Sequence, residues 1–408
     1  MSVGLKQPRK LFPVPGVRLA AIHSGLKTNP ESTDLVLVEV SEKATLAATF
    51  TTNRFCAAPV TVAREHLEKQ LLSEHRAIRY LLINSGNANA GTGQQGYQDA
   101  LICCQAVAEL GSSSSEQVLP FSTGVIAARL PADTICKAIP SLFDSLGADK
   151  WLEAAEGIMT TDTFPKAITE QVTISGETVT ITGITKGSGM IKPDMATMLA
   201  YVATDAKIEK ALLDELIKQA VACSFNSITV DGDTSTNDAC ILIATGQAGV
   251  EVNADTSDFI QALIRVFKYL AQSIIRDAEG ATKFVEIEVK NALSLEDARE
   301  VGYTIAHSPL VKTALFASDA NWGRILAAVG RARIDTLDVS RIDLYLGNTC
   351  LLKNGMPDSQ YREELGQQEM NKEEIKITVD LNQGRCSTSI WTSDLSYEYV
   401  KINAEYRS

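Results

Sequence analysis

The segment 186–199, K-G-S-G-M-I-K-P-D-M-A-T-M-L, constrains this chain more than any other. It lies between 172–183, V-T-I-S-G-E-T-V-T-I-T-G, whose alternation predicts a hairpin, and 198–203, M-L-A-Y-V-A, whose apolar run predicts a buried strand. Gly187 and Gly189 give the backbone freedom that other residues lack, while Pro193 fixes one φ and restricts Lys192 before it. A stiffened, kinked loop is thus delivered to the start of a strand, and Thr197 stands at that junction between Ala196 and Met198. A threonine hydroxyl is a poor nucleophile without an adjacent base. One solution is to free its own α-amine by cutting the preceding peptide bond. From the residues alone, a Gly/Pro loop with a threonine opening a strand is the plainer reading.

Composition narrows the class. The chain has 408 residues, enough for a large core and for two or three domains by length. A formal charge of −12 argues against a nucleic-acid or anionic-membrane surface, and no dense Lys/Arg cluster is present in the sequence. No stretch of about 18 apolar residues is available to span a bilayer. The N-terminus is basic and broken by three prolines, without the apolar run of a secretory signal. Eight scattered cysteines lack zinc-site spacing and predict buried free thiols in a reducing cytosol, with no metal site.

Along the chain, short β-branched runs predict strands at 17–22, 34–40, 45–50 and 59–63, then a short helix flanked by His66 and His75, both expected at the surface. The strand 78–83 runs into a glycine-rich loop. Gly91 to Gly96 spell G-x-G-x-x-G, but the glycines begin too far beyond the strand for a dinucleotide turn, so a loop capping a helix at 96–110 is expected, with Asn84 or Asn87 as candidate substrate contacts. Residues 118–127 bring Thr123 and Gly124 to a strand end, where a hydroxyl beside a glycine amide can face a developing oxyanion. Helices are expected at 133–147, 150–158 and 207–224, the last capped by Asp205. Two strands surround the polar turn D-G-D-T-S-T-N-D (231–238), whose aspartates lack the ligand schedule of a calcium loop. Apolar spacing over 256–277 predicts an amphipathic helix ending beside Glu279 and Gly280, where a carboxylate is either exposed or holds a cationic substrate. Helices at 294–306 and 309–314 precede a β-rich final third that includes 397–402, and 353–373 reads as a polar surface lobe.

The 186–199 segment closely resembles the self-cleavage and nucleophile motif of the ornithine acetyltransferase family, also called bifunctional glutamate N-acetyltransferase/amino-acid acetyltransferase. Matches at 122–126, 160–166, 231–238, 277–283 and the C-terminus follow in order, so the resemblance covers essentially the whole chain. It implies an α/β fold of four α-β-β-α layers, of the N-terminal-nucleophile type. It implies self-cleavage at Ala196–Thr197 into an α chain (1–196) and a β chain (197–408) that assemble as an α2β2 heterotetramer in the cytoplasm. Thr197 would carry acetyl from N2-acetyl-L-ornithine to L-glutamate in a ping-pong cycle of arginine biosynthesis. Thr123 and Gly124 would form the oxyanion hole, and the Thr197 amine would act as local base. Lys186, Glu279, Asn403, Ser408 and one threonine of 160–166 would contact substrate; spacing favours Thr163, with Thr161 as the alternative. No bound cofactor is implied, and acetyl-CoA is a possible second acetyl donor. The rival readings are an N-terminal-nucleophile aminopeptidase or amidase, which releases the acyl group to water, and a non-enzymatic amino-acid-binding protein.

Overall fold

The inner strands of the first two sheets are buried on both faces, so each of these sheets has to be covered twice. The computed structural model describes residues 2–6, 10–71, 77–192 and 198–405; His75, Ala196, Thr197 and Ser408 lie outside these. Elements are numbered along the chain. The first sheet has the order β1 (Val17–Ile22), β2 (Leu35–Val40), β4 (Tyr80–Asn87), β5 (Val118–Val125). The second has the order β3 (Thr45–Phe50), β11 (Ala239–Ala244), β8 (Leu199–Thr204), β7 (Glu177–Lys186), β6 (Lys166–Ile174).

Alternation along these strands sorts the side chains into layers. In β2, Val36 and Val38 enter the core between the two sheets, whereas Leu35 and Leu37 face outward to a helical layer. In β8, Leu199, Tyr201 and Ala203 face the first sheet, while Ala200 and Val202 face the opposite way. Phe121 meets Tyr201 edge-on across the sandwich, ring centroids 5.4 Å apart. The first sheet is covered outside by α1 (Ala58–Leu71), α2 (Gly93–Leu110) and α3 (Ala132–Asp144). The second is covered by α5 (Lys210–Ala222) and α6 (Ser257–Arg276), and α4 (Trp151–Gly157) joins the inner core. The layers are therefore α-β-β-α, as expected.

A third sheet has the order β10 (Ile228–Thr229), β18 (Cys386–Ser393), β13 (Phe284–Ala292), β17 (Glu374–Asp380), β14 (Asp343–Leu346), β15 (Thr349–Lys353), β16 (Met356–Pro357). Helices α7 (Leu295–Ala306), α8 (Pro309–Phe316) and α9 (Trp322–Gly330) share its core. Phe284 and Trp391 connect this sheet to the core under α6. Short strands β9 (Lys207–Ile208) and β12 (Glu251–Val252), and helices α10 (Glu363–Met370) and α11 (Tyr397–Ala404), complete the described chain.

Several expectations are corrected. Residues 59–63 open helix α1, because Pro59 suits a first helical turn and the following A-R-E-H-L-E-K favours helix over the two β-branched valines. His66 is buried, its Nδ1 2.7 Å from the Val118 carbonyl oxygen. Residues 397–402 form helix α11: the Ser396 hydroxyl caps it by accepting from the Tyr399 amide, and Tyr397 and Val400 point to solvent. Asp205 instead accepts the Thr180 amide, and Glu209 caps α5. The strands around 231–238 belong to different sheets, so that turn crosses from β10 in the third sheet to β11 in the second.

Candidate active site

The crossing turn, the ends of β5 and β7 and the turn after α6 converge on one cavity of about 220 Å³. Thr123 and Gly124 line it from β5, where the pairing with β4 shifts register, and such an irregularity re-aims strand side chains. Gly124 has φ 133°, and an added Cβ would lie 2.3 Å from the Gly86 carbonyl carbon, so only glycine fits this bend. Lys186, the last residue of β7, donates from Nζ to the Thr123 hydroxyl at 3.1 Å. An ammonium has no acceptor, so the threonine oxygen accepts from it and keeps its own proton for another partner.

Glu279 lines the cavity opposite, and burial replaces the exposure open to it from sequence: it is 8% accessible. Its Oε1 accepts the Thr161 hydroxyl at 2.7 Å, and its Oε2 accepts Asn403 Nδ2 at 2.7 Å. Each oxygen retains acceptor capacity for a ligand cation. Its amide donates to the Ser188 carbonyl at 2.9 Å, fixing the turn against the 186–189 segment. A Cβ at Gly189 would lie 2.4 Å from Glu279 Oε2, so a side chain there would displace the carboxylate.

Of the two threonines, Thr161 lines the cavity. Thr163 does not line the cavity; its hydroxyl and amide both donate to Asp277. Asp277 belongs to a buried network invisible in the sequence, in which Lys166 Nζ lies 2.7 Å from Asp162 and 2.6 Å from Asp277. Asp162 Oδ1 also accepts the Gly187 amide at 2.7 Å, and Asp162 Oδ2 accepts that of Thr160 at 3.0 Å. Burial pushes the Asp162 carboxyl up, but the ammoniums of Lys166 and Lys186 outweigh it and hold it below the usual carboxylate range. Burial also lowers Lys186, against the opposing charges of Asp162, Asp238 and Glu279.

The 231–238 turn contributes Ser235, Thr236 and Asn237 to the cavity. Asn237 Nδ2 donates to the carbonyls of Ala88 at 2.6 Å and Ser122 at 2.9 Å, tying the turn to edge strand β5 and to the residue just after β4. The three aspartates do not converge: Asp231 accepts the amides of Met190 and Ile191, and Asp238 that of Met198. Asn84 and Asn87 spend their amides on backbone carbonyls and do not line the cavity. The structure thus brings Thr123, Gly124, Lys186, Glu279 and Asn403 together, while Thr197, Ala196 and Ser408 lie outside the described residues.

The ArgJ family model matches residues 18–408. The arginine biosynthesis bifunctional protein ArgJ of Pseudomonas syringae pv. tomato is 49% identical over 413 residues, covering 100% of both chains. The protein of that name from Methylococcus capsulatus is 50% identical over 403 residues, covering 98% of this chain and 97% of its own. A solved structure of the Bacillus halodurans protein of that name is 38% identical across 50% of this chain and 98% of that chain, with a TM-score of 0.48. With its family match extending from the first strand to the last residue, the chain belongs to the ArgJ family and is an acetyltransferase of arginine biosynthesis.

Proposed function

We propose that the cavity moves acetyl from N2-acetyl-L-ornithine to L-glutamate through an ester on Thr197. The observation that carries this reading is the Lys186–Thr123 contact beside Gly124, facing Glu279 across one small cavity. In the first half-reaction the Thr197 oxygen attacks the acetyl carbonyl carbon, and its proton passes to the Thr197 amine. The hydroxyl of Thr123 and the amide of Gly124 donate to the oxyanion. The carbon–nitrogen bond then breaks, the proton goes to the departing amine, and ornithine leaves. In the second half-reaction the amine of glutamate attacks the ester, giving N-acetyl-L-glutamate and restoring the hydroxyl. Glu279, held by Thr161 and Asn403, pairs with the cationic end of ornithine. Lys186 positions substrate and, as a neighbouring cation, discourages protonation of the Thr197 amine.

The same reading has the chain mature by cleavage between Ala196 and Thr197 and assemble as α2β2, with acetyl-CoA as a second acetyl donor to the same threonine. The test is product analysis with acetylornithine, with and without glutamate. About one equivalent of ornithine per site without glutamate, and continued turnover with stoichiometric N-acetylglutamate only when glutamate is present, are expected; free acetate formed at the same rate without glutamate would make the protein a hydrolase. N-acetylglutamate formed from acetyl-CoA and glutamate with acetylornithine absent decides the second donor.

A further inference from the structure

A second cleft, of about 580 Å³, lies behind the wall of the acetyl-transfer cavity and belongs to none of the chemistry above. It is lined by Lys192, Arg299, Arg331 and Arg333 against Glu296 and Glu300. These cations are scattered through the sequence, which is why no basic cluster is visible there. The fold gathers them from the segment after β7, from α7 and from the turn after α9.

Two of the four cations are oriented by backbone carbonyls, and the lining sets four cations against two carboxylates, a formal net of +2. Arg299 Nη2 donates to the Ala222 carbonyl at 3.0 Å and Arg331 Nη2 to the Thr304 carbonyl at 3.1 Å. Arg299 Nε is buried without a hydrogen-bond acceptor among the described residues. Glu300 is held within the cleft, its Oε1 accepting the Arg333 backbone amide at 3.0 Å and the Thr304 hydroxyl at 3.3 Å. Among the described residues none of the four cations makes an ion pair, in a chain whose formal charge is −12. His307 is lowered to about 4, by burial first and then by Lys192, Lys312 and Arg331, with Glu300 opposing. The His307 ring stacks on Tyr303, centroids 5.4 Å apart, giving the cleft an aromatic wall.

We propose that this cleft binds a small phosphate-bearing polyanion. Guanidinium forks match phosphate oxygens, the net formal +2 of four cations against two carboxylates calls for more than one negative charge, and the volume suits a small molecule. The site has its own wall in common with the acetyl-transfer cavity: Met190 lines the cavity, Lys192 lines the cleft, and Asp231 holds the Met190 and Ile191 amides between them. Thr229 completes the partition, its hydroxyl bonded to the Ile191 carbonyl at 2.9 Å and 3.0 Å from His307 Nε2.

The experiment is calorimetric titration of the full chain, at low ionic strength, with inorganic pyrophosphate and separately with ADP. Saturable binding is expected, weakened about tenfold or more in Arg331→Gln/Arg333→Gln and in Lys192→Gln, and weakened by added salt. The arginine variant should keep its unfolding midpoint and its acetyl transfer from acetylornithine, so that lost binding is not lost fold. Tighter binding of ADP assigns the phosphates to a nucleotide and the base to the Tyr303–His307 wall; equal or tighter binding of pyrophosphate assigns them to a free anion. No saturable binding of either, or binding indifferent to the substitutions, overturns the proposal.

Discussion

Lys186 determines what Thr123 can do. Because the ammonium only donates, the 3.1 Å contact leaves the threonine proton free to meet a developing negative oxygen. Thr123→Ala should therefore lower turnover by about 10²-fold while leaving the unfolding midpoint unchanged. Single-turnover acetylation in the folded variant is the measurement, and an unchanged rate would remove the oxyanion role. Glu279 makes a separable prediction. Glu279→Gln keeps the shape and its neighbours but loses the charge, so KM for acetylornithine should rise about ten- to hundredfold, as for a lost hydrogen bond to a charged group. Equal kinetics for donor and acceptor across pH in that variant would exclude the contact.

At the scale of elements, the buried Lys166 joins the segment before β6 to the end of α6 through Asp162 and Asp277. Lys166→Met leaves two buried carboxylates facing each other and should cost about 3–5 kcal/mol. Denaturant unfolding with an unchanged m-value would measure it, and a loss under about 1 kcal/mol would show the network to be dispensable. The C-cap of α7 gives a pH prediction. His307, facing Lys192, Lys312, Arg331 and Glu300, is lowered from 6.5 to about 4. Between those values the unfolded chain binds a proton that the fold excludes, so stability falls as pH drops through this window and levels off below it. His307→Gln should flatten that part of the profile relative to the parent, and parallel profiles would refute the cause. Elements with a strong period were legible in the sequence: α6, the β6–β7 hairpin and β8 stand where apolar spacing put them. Helices α1 and α11 were not, because Val60 with Val62 and Tyr397 with Tyr399 mimic strand alternation, while Pro59 and the Ser396 cap carry the opposite local signal. At the site, Thr123, Gly124, Lys186, Glu279 and Asn403, which motif resemblance singles out from separate stretches, line one cavity. That Thr161 rather than Thr163 lines the cavity follows from Asp277, a partner 114 residues from Thr163 that no local pattern reveals.

For the molecule as a whole, the second sheet interleaves the two proposed chains. Strands β3, β6 and β7 precede position 197, β8 and β11 follow it, and the order β3-β11-β8-β7-β6 places the later pair between the earlier ones. The ladder from Ile181↔Thr204 to Lys186↔Leu199 and the one from Ala239↔Phe50 to Ala244↔Thr45 both cross that division. Fragments beginning at Met1 and Thr197 should therefore co-elute in native sizing and separate only in denaturant. Mass spectrometry should place the second start at Thr197, and Thr197→Ala should stay uncut and inactive. Fragments that part under native conditions would contradict this arrangement.

That interleaving makes the molecule's history matter. In the proposed maturation, β7 and β8 of the uncut chain are joined by a short tether, and their pairing is a first-order event at high effective concentration. Afterwards the same ladder can be rebuilt from the unfolded state only by two chains meeting, at a rate that dilution slows. The precursor can fold as one chain, while a denatured mature enzyme has to reassemble as a complex. Its endurance is then set by how slowly it opens, and heating curves should depend on scan rate and protein concentration.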